Sequence, residues 1–313
     1  MHSAQNSWLP VRAALQPDGL YLALREIPPA ELRDAFMQET VARVAGAESI
    51  LCIGRGDAAE MPADAAPAGI VFHVARCGST VISQLLKEHA GLAVYAEPQP
   101  LNELLLPPQA WPRDDFAAAL RSLGAAFARH AGGRYVLKLS SWNTLYCELV
   151  ADAFPRTPWV LSLRDPIEVC VSLLAQLPAW LQESAPPAQR LYRLVQPDGA
   201  PRTAEERVAR VFGAFCDAAA RLVRGRGRLI RYESLPDAVW DVAAPHFGLA
   251  VNDDERRRMA AAGRRYSKSP VGRAAAYADD SERKRDAASD ALRRAIDEFA
   301  RPAYDRLRRI HGI

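Results

Sequence analysis

The sequence predicts a three-layer α/β/α protein built around a central, mostly parallel sheet. Short apolar runs rich in β-branched and aromatic residues, which are typical of buried strands, alternate with segments of helical periodicity. The first strong run, IVFHV, leads through a glycine-containing turn directly into a helix. Strands that alternate with helices form right-handed crossovers and a parallel sheet, so any ligand is expected at the carboxyl ends of the strands.

The elements are predicted in the following order. Residues 20–24 form a short strand, 31–44 a helix and 50–53 an apolar run that ends in a loop rich in Gly, Ala and Pro. The core strands are predicted over residues 70–74, 93–96, 135–139, 159–163 and 228–231. Helices are predicted after Ser79 and over residues 114–129, 144–153, 167–174, 204–223 and 289–309, with a loop or lid over 179–201. The early loop suggests a small N-terminal module of unknown role, residues 1–66, before an α/β domain at 67–313.

The composition narrows the class of protein. The 313 residues are 49% hydrophobic and carry a formal charge of +3, whereas a nucleic-acid binder usually shows a stronger, clustered basic excess. The five cysteines are scattered and never form C-x-x-C, which argues against a disulfide framework or a zinc site. The N-terminus has no signal-peptide pattern, and no apolar run approaches the roughly 20 residues of a membrane helix. We therefore expect a cytoplasmic protein without membrane insertion.

The turn after the first core strand reads Arg76-Cys77-Gly78-Ser79-Thr80. A helix N-terminus presents unpaired N–H groups and a positive dipole, which bind phosphate, and the guanidinium and two hydroxyls add donors. An ordinary N-capped helix would look similar, because Ser and Thr are good N-caps. The turn lacks the Lys of a nucleoside-triphosphatase loop, so a single phosphate is expected here.

A second candidate anion site follows the strand at 159–163. Arg164 stands at the strand end, and Ser172 lies two turns into the next helix, so both can converge on one anion. The alternative is an exposed Arg with a capping Asp165 before Pro166 at the first helical position, which is a common helix start.

These segments resemble PAPS-dependent sulfotransferases, where PAPS is 3′-phosphoadenosine 5′-phosphosulfate. FHVARCGSTVISQLL, residues 72–86, is similar to the loop that binds the 5′-phosphosulfate, with Cys77 in place of the usual Ser. In that family an Arg and a Ser spaced like Arg164 and Ser172 bind the 3′-phosphate. Tyr232, in IRYESL, corresponds to a tyrosine near the adenine pocket, and Lys268 lies in the only segment similar to the basic C-terminal loop.

The resemblance also implies an in-line sulfuryl transfer that needs no metal and releases 3′,5′-adenosine bisphosphate (PAP). Arg76 and Lys138 would stabilise the departing phosphate. Cytosolic members have a catalytic His where this chain has Ser140, whereas other members use a Glu after the second strand, which makes Glu97 the expected general base.

Two other functions stay open on the sequence alone. A kinase-like, ATP-dependent phosphotransferase would hold magnesium with Ser79 or Thr80, assisted by Asp165. A non-catalytic nucleotide-binding protein could use the same fold. The acceptor is expected to be a small molecule, and Trp111, Trp142 and Trp180 could line a pocket for an apolar or ring-bearing one. The sequence does not indicate an oligomeric state.

Overall fold

Two sheets organise the protein. The computed structural model describes residues 7–55, 57, 65–106, 111–182, 189, 191, 192, 195, 203–222, 226–265 and 281–312. The N-terminal sheet is antiparallel, in the order β1-β2-β3, with β1 at Trp8–Gln16, β2 at Gly19–Glu26 and β3 at Glu48–Gly54. The second sheet is parallel throughout and positions the candidate site.

The parallel sheet has the order β5-β6-β4-β7-β8. Its strands are β4 Gly69–His73, β5 Leu92–Ala96, β6 Arg134–Lys138, β7 Trp159–Leu163 and β8 Gly227–Arg231. Every residue of β4 and β7 is buried, as expected for inner strands covered by helices on both faces. The predicted α/β class is confirmed, and each strand end lies within one residue of its predicted position.

Helices cover the parallel sheet and follow most of the predicted segments. They are α1 Met37–Arg43, α2 Ser79–Leu86, α3 Gln99–Leu105, α4 Arg113–Ala131, α5 Cys147–Ala153, α6 Pro166–Ala175, α7 Ala204–Leu222, α8 Ala244–His246, α9 Asp253–Arg265, α10 Ser281–Asp286, α11 Asp290–Phe299 and α12 Arg301–His311. No helix was predicted over residues 99–105, where α3 lies.

Two predicted helices differ from the observed ones for identifiable reasons. The helix predicted at 31–44 begins only at Met37, because the N–H of Phe36 is capped by the Glu39 carboxylate at 3.1 Å. The helix predicted at 289–309 is divided at Ala300 into α11 and α12. Pro302 has no N–H to donate, which prevents the hydrogen-bond ladder from continuing through this point.

The N-terminal sheet packs directly on the α/β layers. Leu9 and Leu22 lie in the same hydrophobic core as Phe72 of the parallel sheet. The carboxylate of Glu103 on α3 accepts hydrogen bonds from the side chain of Arg12 and from the N–H of Ala13, the latter at 2.7 Å. The described residues on the two sides of the predicted module boundary therefore share one core.

Candidate active site

The site lies at the carboxyl edge of the parallel sheet. Five of the predicted positions follow or end five different strands: Glu97 after β5, Lys138 at the end of β6, the turn at 74–80 after β4, Arg164 after β7 and Tyr232 after β8. Neighbouring strands are about 4.8 Å apart, so these groups form a row across the sheet. The strand order thus brings together residues that are up to 135 positions apart in the chain.

The turn between β4 and α2 has an unusual backbone. Ala75, Arg76 and Gly78 all have positive φ, at 69°, 47° and 82°. A Cβ added to Gly78 would lie 2.6 Å from Cδ1 of Leu235 and 3.1 Å from Cδ2 of Tyr232, so only glycine fits. The N–H groups of Arg76, Gly78 and Thr80 donate to no other described residue. Backbone N–H donors placed just before and at a helix N-terminus suit an oxyanion.

The side chains of this turn have different surroundings. The guanidinium of Arg76 donates to the backbone and side-chain oxygens of Gln176 at 2.9 and 3.1 Å, and its partial burial lowers the pKa. Cys77 is fully buried, and its carbonyl accepts a 2.8 Å hydrogen bond from Ser162. Burial raises the pKa of the Cys77 thiol, which suits a small residue packed under the turn.

Glu97 and Lys138 form an ion pair at the end of the row that lies beside β5 and β6. The Lys138 ammonium donates to Oε1 of Glu97, and the Ser140 hydroxyl donates to Oε2 at 3.2 Å. The Lys138 side chain is 1% exposed, whereas that of Glu97 is 28% exposed and can meet a bound molecule. Glu97 is also a non-glycine residue at φ 52°, and such backbone outliers are concentrated at functional sites.

An aromatic ring from the N-terminal part of the chain covers this pair. The Lys138 ammonium lies 5.2 Å from the centre of the Phe36 ring, within the range of a cation–π contact. The segment before Phe36 is fixed to α2, because the carbonyl of Asp34 accepts hydrogen bonds from Gln84, at 2.9 Å, and from Lys87. A molecule that approaches Glu97 therefore meets a ring supplied from outside the parallel sheet.

His73, the last residue of β4, connects the ion pair to the turn. Its Nε2 lies 2.9 Å from the carbonyl oxygen of Leu139 and 3.8 Å from Oε1 of Glu97. Its Nδ1 accepts a hydrogen bond from the N–H of Ala75 at 3.2 Å. Burial, and then the charge of Lys138, hold the pKa of His73 well below its usual value, so the ring is neutral.

Arg164 is buried in a cluster of charges at the other end of the row. Its Nε donates to Oε2 of Glu168 at 2.6 Å, and both side chains are almost fully excluded from solvent. The same carboxylate contacts Ser281 at 2.9 Å and Arg285 at 2.7 Å, both from α10. Two guanidinium groups thus share one carboxylate, which leaves the cluster with a net positive charge.

Tyr232 links this cluster to the turn. The Arg164 guanidinium stacks on the Tyr232 ring, 3.7 Å from its centre, and the edge of the ring lies 3.1 Å from the point where a Cβ on Gly78 would be. The Tyr232 ring therefore lies next to both candidate anion sites. Ser172 instead donates to the backbone carbonyl of Glu168 at 2.8 Å, and Lys268 lies outside the described residues.

Four further residues from the sequence analysis make contacts that belong to the packing of the fold. Trp111 is 5% exposed and donates to the carbonyl of Gln16, Trp142 is buried, and Trp180 packs against Phe215. Asp165 accepts a hydrogen bond from the N–H of Ile167 at 2.9 Å and caps α6.

Within the described ranges there is no cluster of three or more His, Cys, Asp or Glu residues suited to a metal ion. No helix in the described part of the chain has the length and apolarity to cross a membrane.

Sequence reasoning missed Glu168 and Phe36. Glu168 could have been found, because it lies four residues after Arg164 on the following helix, where opposite charges meet. The contact between Phe36 and Lys138 spans about 100 residues, and no local pattern reports it.

No protein-family model matches the chain, and no curated protein matches it. Solved structures do match. Sulfotransferase STF9 from Mycobacterium avium is 16% identical over 66% of this chain and 70% of its own, with a TM-score of 0.42. A sulfotransferase from Alicyclobacillus acidocaldarius is also 16% identical, over 79% of this chain and 96% of its own, with a TM-score of 0.42.

Mouse sulfotransferase SULT7A1, solved in complex with PAP, is 12% identical over 81% of this chain and 91% of its own, with a TM-score of 0.41. All three are sulfotransferases, the class that the sequence motifs resemble. At identities and TM-scores of this size, the activity has to be argued from the residues of this chain.

Proposed function

We propose that this protein is a sulfotransferase that moves the sulfuryl group of PAPS to a hydroxyl or amine of a small acceptor. One observation carries the proposal: the turn at 74–80, the Glu97–Lys138 pair and the Arg164–Tyr232 stack form a continuous chain of contacts along one edge of the sheet. A sulfuryl donor such as PAPS, which carries an anionic group at each end, fits along this row of strand-end residues.

The turn would bind the 5′-phosphate end of the donor. The N–H groups of Arg76, Gly78 and Thr80, which donate to no other described residue, and the hydroxyls of Ser79 and Thr80 supply neutral donors, and the turn has no Lys to bind a triphosphate. Arg76 adjoins these donors. We expect its guanidinium to exchange part of its contact with Gln176 for the departing phosphate, on which negative charge develops.

The 3′-phosphate would add a second anion to the cluster around Arg164. Arg164 and Arg285 share the single carboxylate of Glu168, so a phosphate there meets a net positive charge. Tyr232 lies next to both this cluster and the turn, since its ring stacks on Arg164 and approaches the position of a Cβ on Gly78. Ser172, on α6, would have to turn its hydroxyl away from its own helix to assist.

The reaction follows from the same positions. The acceptor oxygen or nitrogen forms a bond to sulfur while the bond from sulfur to the 5′-phosphate oxygen breaks, giving a sulfated acceptor and PAP. Glu97 takes the proton that the acceptor loses, and Lys138 offers its positive charge to the leaving oxygen. The contact between Glu97 and Lys138 keeps both groups in place before the substrates arrive.

Replacing Glu97 with Gln tests the general base. The variant keeps the shape of the side chain but cannot accept the proton, so we expect turnover of labelled PAPS to fall at least 100-fold, in line with the usual contribution of such a base. PAP affinity, measured by calorimetry, should stay within twofold. Glu48→Gln is the matched control, since that carboxylate lies on β3, away from the row, and pairs with Arg25. Near-normal turnover in Glu97→Gln would exclude it as the base.

The competing functions differ in what they require. A kinase-like enzyme would use ATP and stop in excess EDTA, whereas PAPS-dependent transfer should continue. Asp165, which such an enzyme would need beside magnesium, serves as the cap of α6. A non-catalytic protein would bind PAP but transfer nothing across a panel of phenols, alcohols, sugars and peptides.

A further inference from the structure

His73 occupies a position that the sulfuryl transfer described above does not use. It is the last residue of β4, its side chain is 6% exposed, and both of its ring nitrogens have partners in the site. One partner belongs to the turn that would bind phosphate, and the other belongs to the end of β6, beside Lys138 and Ser140.

The hydrogen bonds define the protonation of the ring. The N–H of Ala75 can only donate, so Nδ1 must accept, and the carbonyl of Leu139 can only accept, so Nε2 must carry the proton. A neutral ring with its proton on Nε2 satisfies both. A second proton on Nδ1 would face the Ala75 N–H and break that bond.

Each bond holds a strained or functional element. Ala75 and Arg76 are consecutive non-glycine residues at positive φ, a conformation that L-residues avoid unless their surroundings impose it. The bond from Ala75 to Nδ1 fixes the start of this turn. The bond to Leu139 fixes the segment whose neighbours, Lys138 and Ser140, both contact Glu97.

We infer that His73 is a positioning residue with two separable tasks: Nδ1 shapes the phosphate-binding turn, and Nε2–H aligns the Glu97–Lys138–Ser140 group. The inference rests on the proposed function for its nucleotide and turnover readouts. It has an independent readout in the exchange of the Ala75 amide proton.

Two substitutions separate the tasks. In His73→Asn, the side-chain oxygen can accept from the N–H two residues ahead, as in an Asx turn, but nothing reaches Leu139. In His73→Gln, the longer amide can donate where Nε2 did, but no acceptor remains for Ala75. His130 provides the matched control, since it is also buried and neutral, with Nδ1 against Tyr95 at 2.7 Å and Nε2 against the carbonyl of Ile27 at 2.7 Å.

The experiment measures PAP affinity by calorimetry, turnover with labelled PAPS and the acceptor panel, and Ala75 amide exchange by NMR. For His73→Asn we expect exchange and PAP affinity within threefold of the wild type and turnover at least tenfold lower. For His73→Gln we expect exchange and the PAP dissociation constant to rise at least tenfold. His130→Asn and His130→Gln should lower the melting temperature without moving these readouts.

The possible outcomes distinguish a failure of the His73 inference from a failure of the proposed function. If the Asn and Gln variants of His73 behave alike, or if the His130 variants reproduce the effects, His73 is only a structural residue and the inference fails. In the wild type, nitrogen chemical shifts that place the proton on Nδ1 would also overturn it, even if a variant does not fold. If the wild type binds no PAP, the proposed function fails, while Ala75 exchange still decides whether His73 shapes the turn.

Discussion

Removing the negative charge of Glu168 should destabilise the folded protein, and a bound 3′-phosphate should restore part of the lost stability. Glu168→Gln keeps an oxygen for the Nε of Arg164 but removes the negative charge that balances a guanidinium with 1% of its side chain exposed. Breaking a buried ion pair from one side costs about 3–5 kcal/mol, because it leaves a charge without compensation. Since the Gln oxygen still accepts a hydrogen bond, we expect about 3 kcal/mol.

Thermal unfolding measures this loss. At roughly 2 °C per kcal/mol for a chain of this size, the melting temperature should fall by about 6 °C. Asp297→Asn is the control, because Asp297 pairs with Arg301 at the same four-residue spacing on the surface, where an exposed pair contributes little. Its melting temperature should not change measurably.

A comparison of two nucleotides then tests whether Arg164 binds a 3′-phosphate. PAP at 100 times its dissociation constant stabilises a folded protein by about 2.7 kcal/mol. In Glu168→Gln, the 3′-phosphate meets Arg164 without the competing carboxylate, so the same concentration of PAP should raise the melting temperature more than it does in the wild type. Adenosine 5′-monophosphate, which lacks that phosphate, should not show this gain. Equal gains from both nucleotides would refute the assignment of Arg164 to a 3′-phosphate.

Further predictions concern the turn, the acceptor and the pH dependence of stability. Gly78→Ala should weaken PAP binding at least tenfold in calorimetry, because the new methyl group collides with Tyr232 at a positive φ; unchanged affinity would contradict the geometry of the turn. Phe36→Ala should lower the preference for 2-naphthol over cyclohexanol about tenfold without changing PAP affinity, because the ring beside Lys138 is lost; equal preference in both proteins would rule out a role in the acceptor site. Burial lowers the pKa of His130 in the folded state, so the unfolded chain takes up the proton first and stability should be lost as the pH falls below about 6.5. The melting temperature of His130→Gln should therefore depend less on pH between 7.5 and 5.5 than that of the wild type, and parallel profiles would argue against this residue.

The strands of the parallel sheet could be predicted because burial on both faces makes them continuous apolar runs. Residues 159–163 are the clearest case, since prediction and structure agree at both ends. β1 was missed, because Pro10 and Arg12 interrupt its apolar pattern and its stability comes from pairing with β2 and from packing on α3 and α4. The order of the strands in the sheet could not be predicted from the sequence either, since it depends on contacts between distant segments.

The site was predictable where its chemistry is local. The turn at 76–80 and Arg164 follow strand ends and stand out by residue type, and Glu97 was found only through a family resemblance. The Glu97–Lys138 pair and the Tyr232 ring between the two candidate anion sites depend on strand order, which no spacing in the sequence reports. Whether PAPS occupies this row stays a prediction.

The hydrogen bonds between β1 and Glu103 limit how far the protein can be shortened from its N-terminal side. The bond from Ala13 reaches across 90 residues to the helix that begins two positions after Glu97. A protease cut or a deletion that releases the first strand would leave this helix without its anchor and bare the apolar face that Leu9 and Val11 of β1 cover. Such a fragment could keep the nucleotide end of the row while losing alignment at the acceptor end, so a minimal active version should retain the first strand.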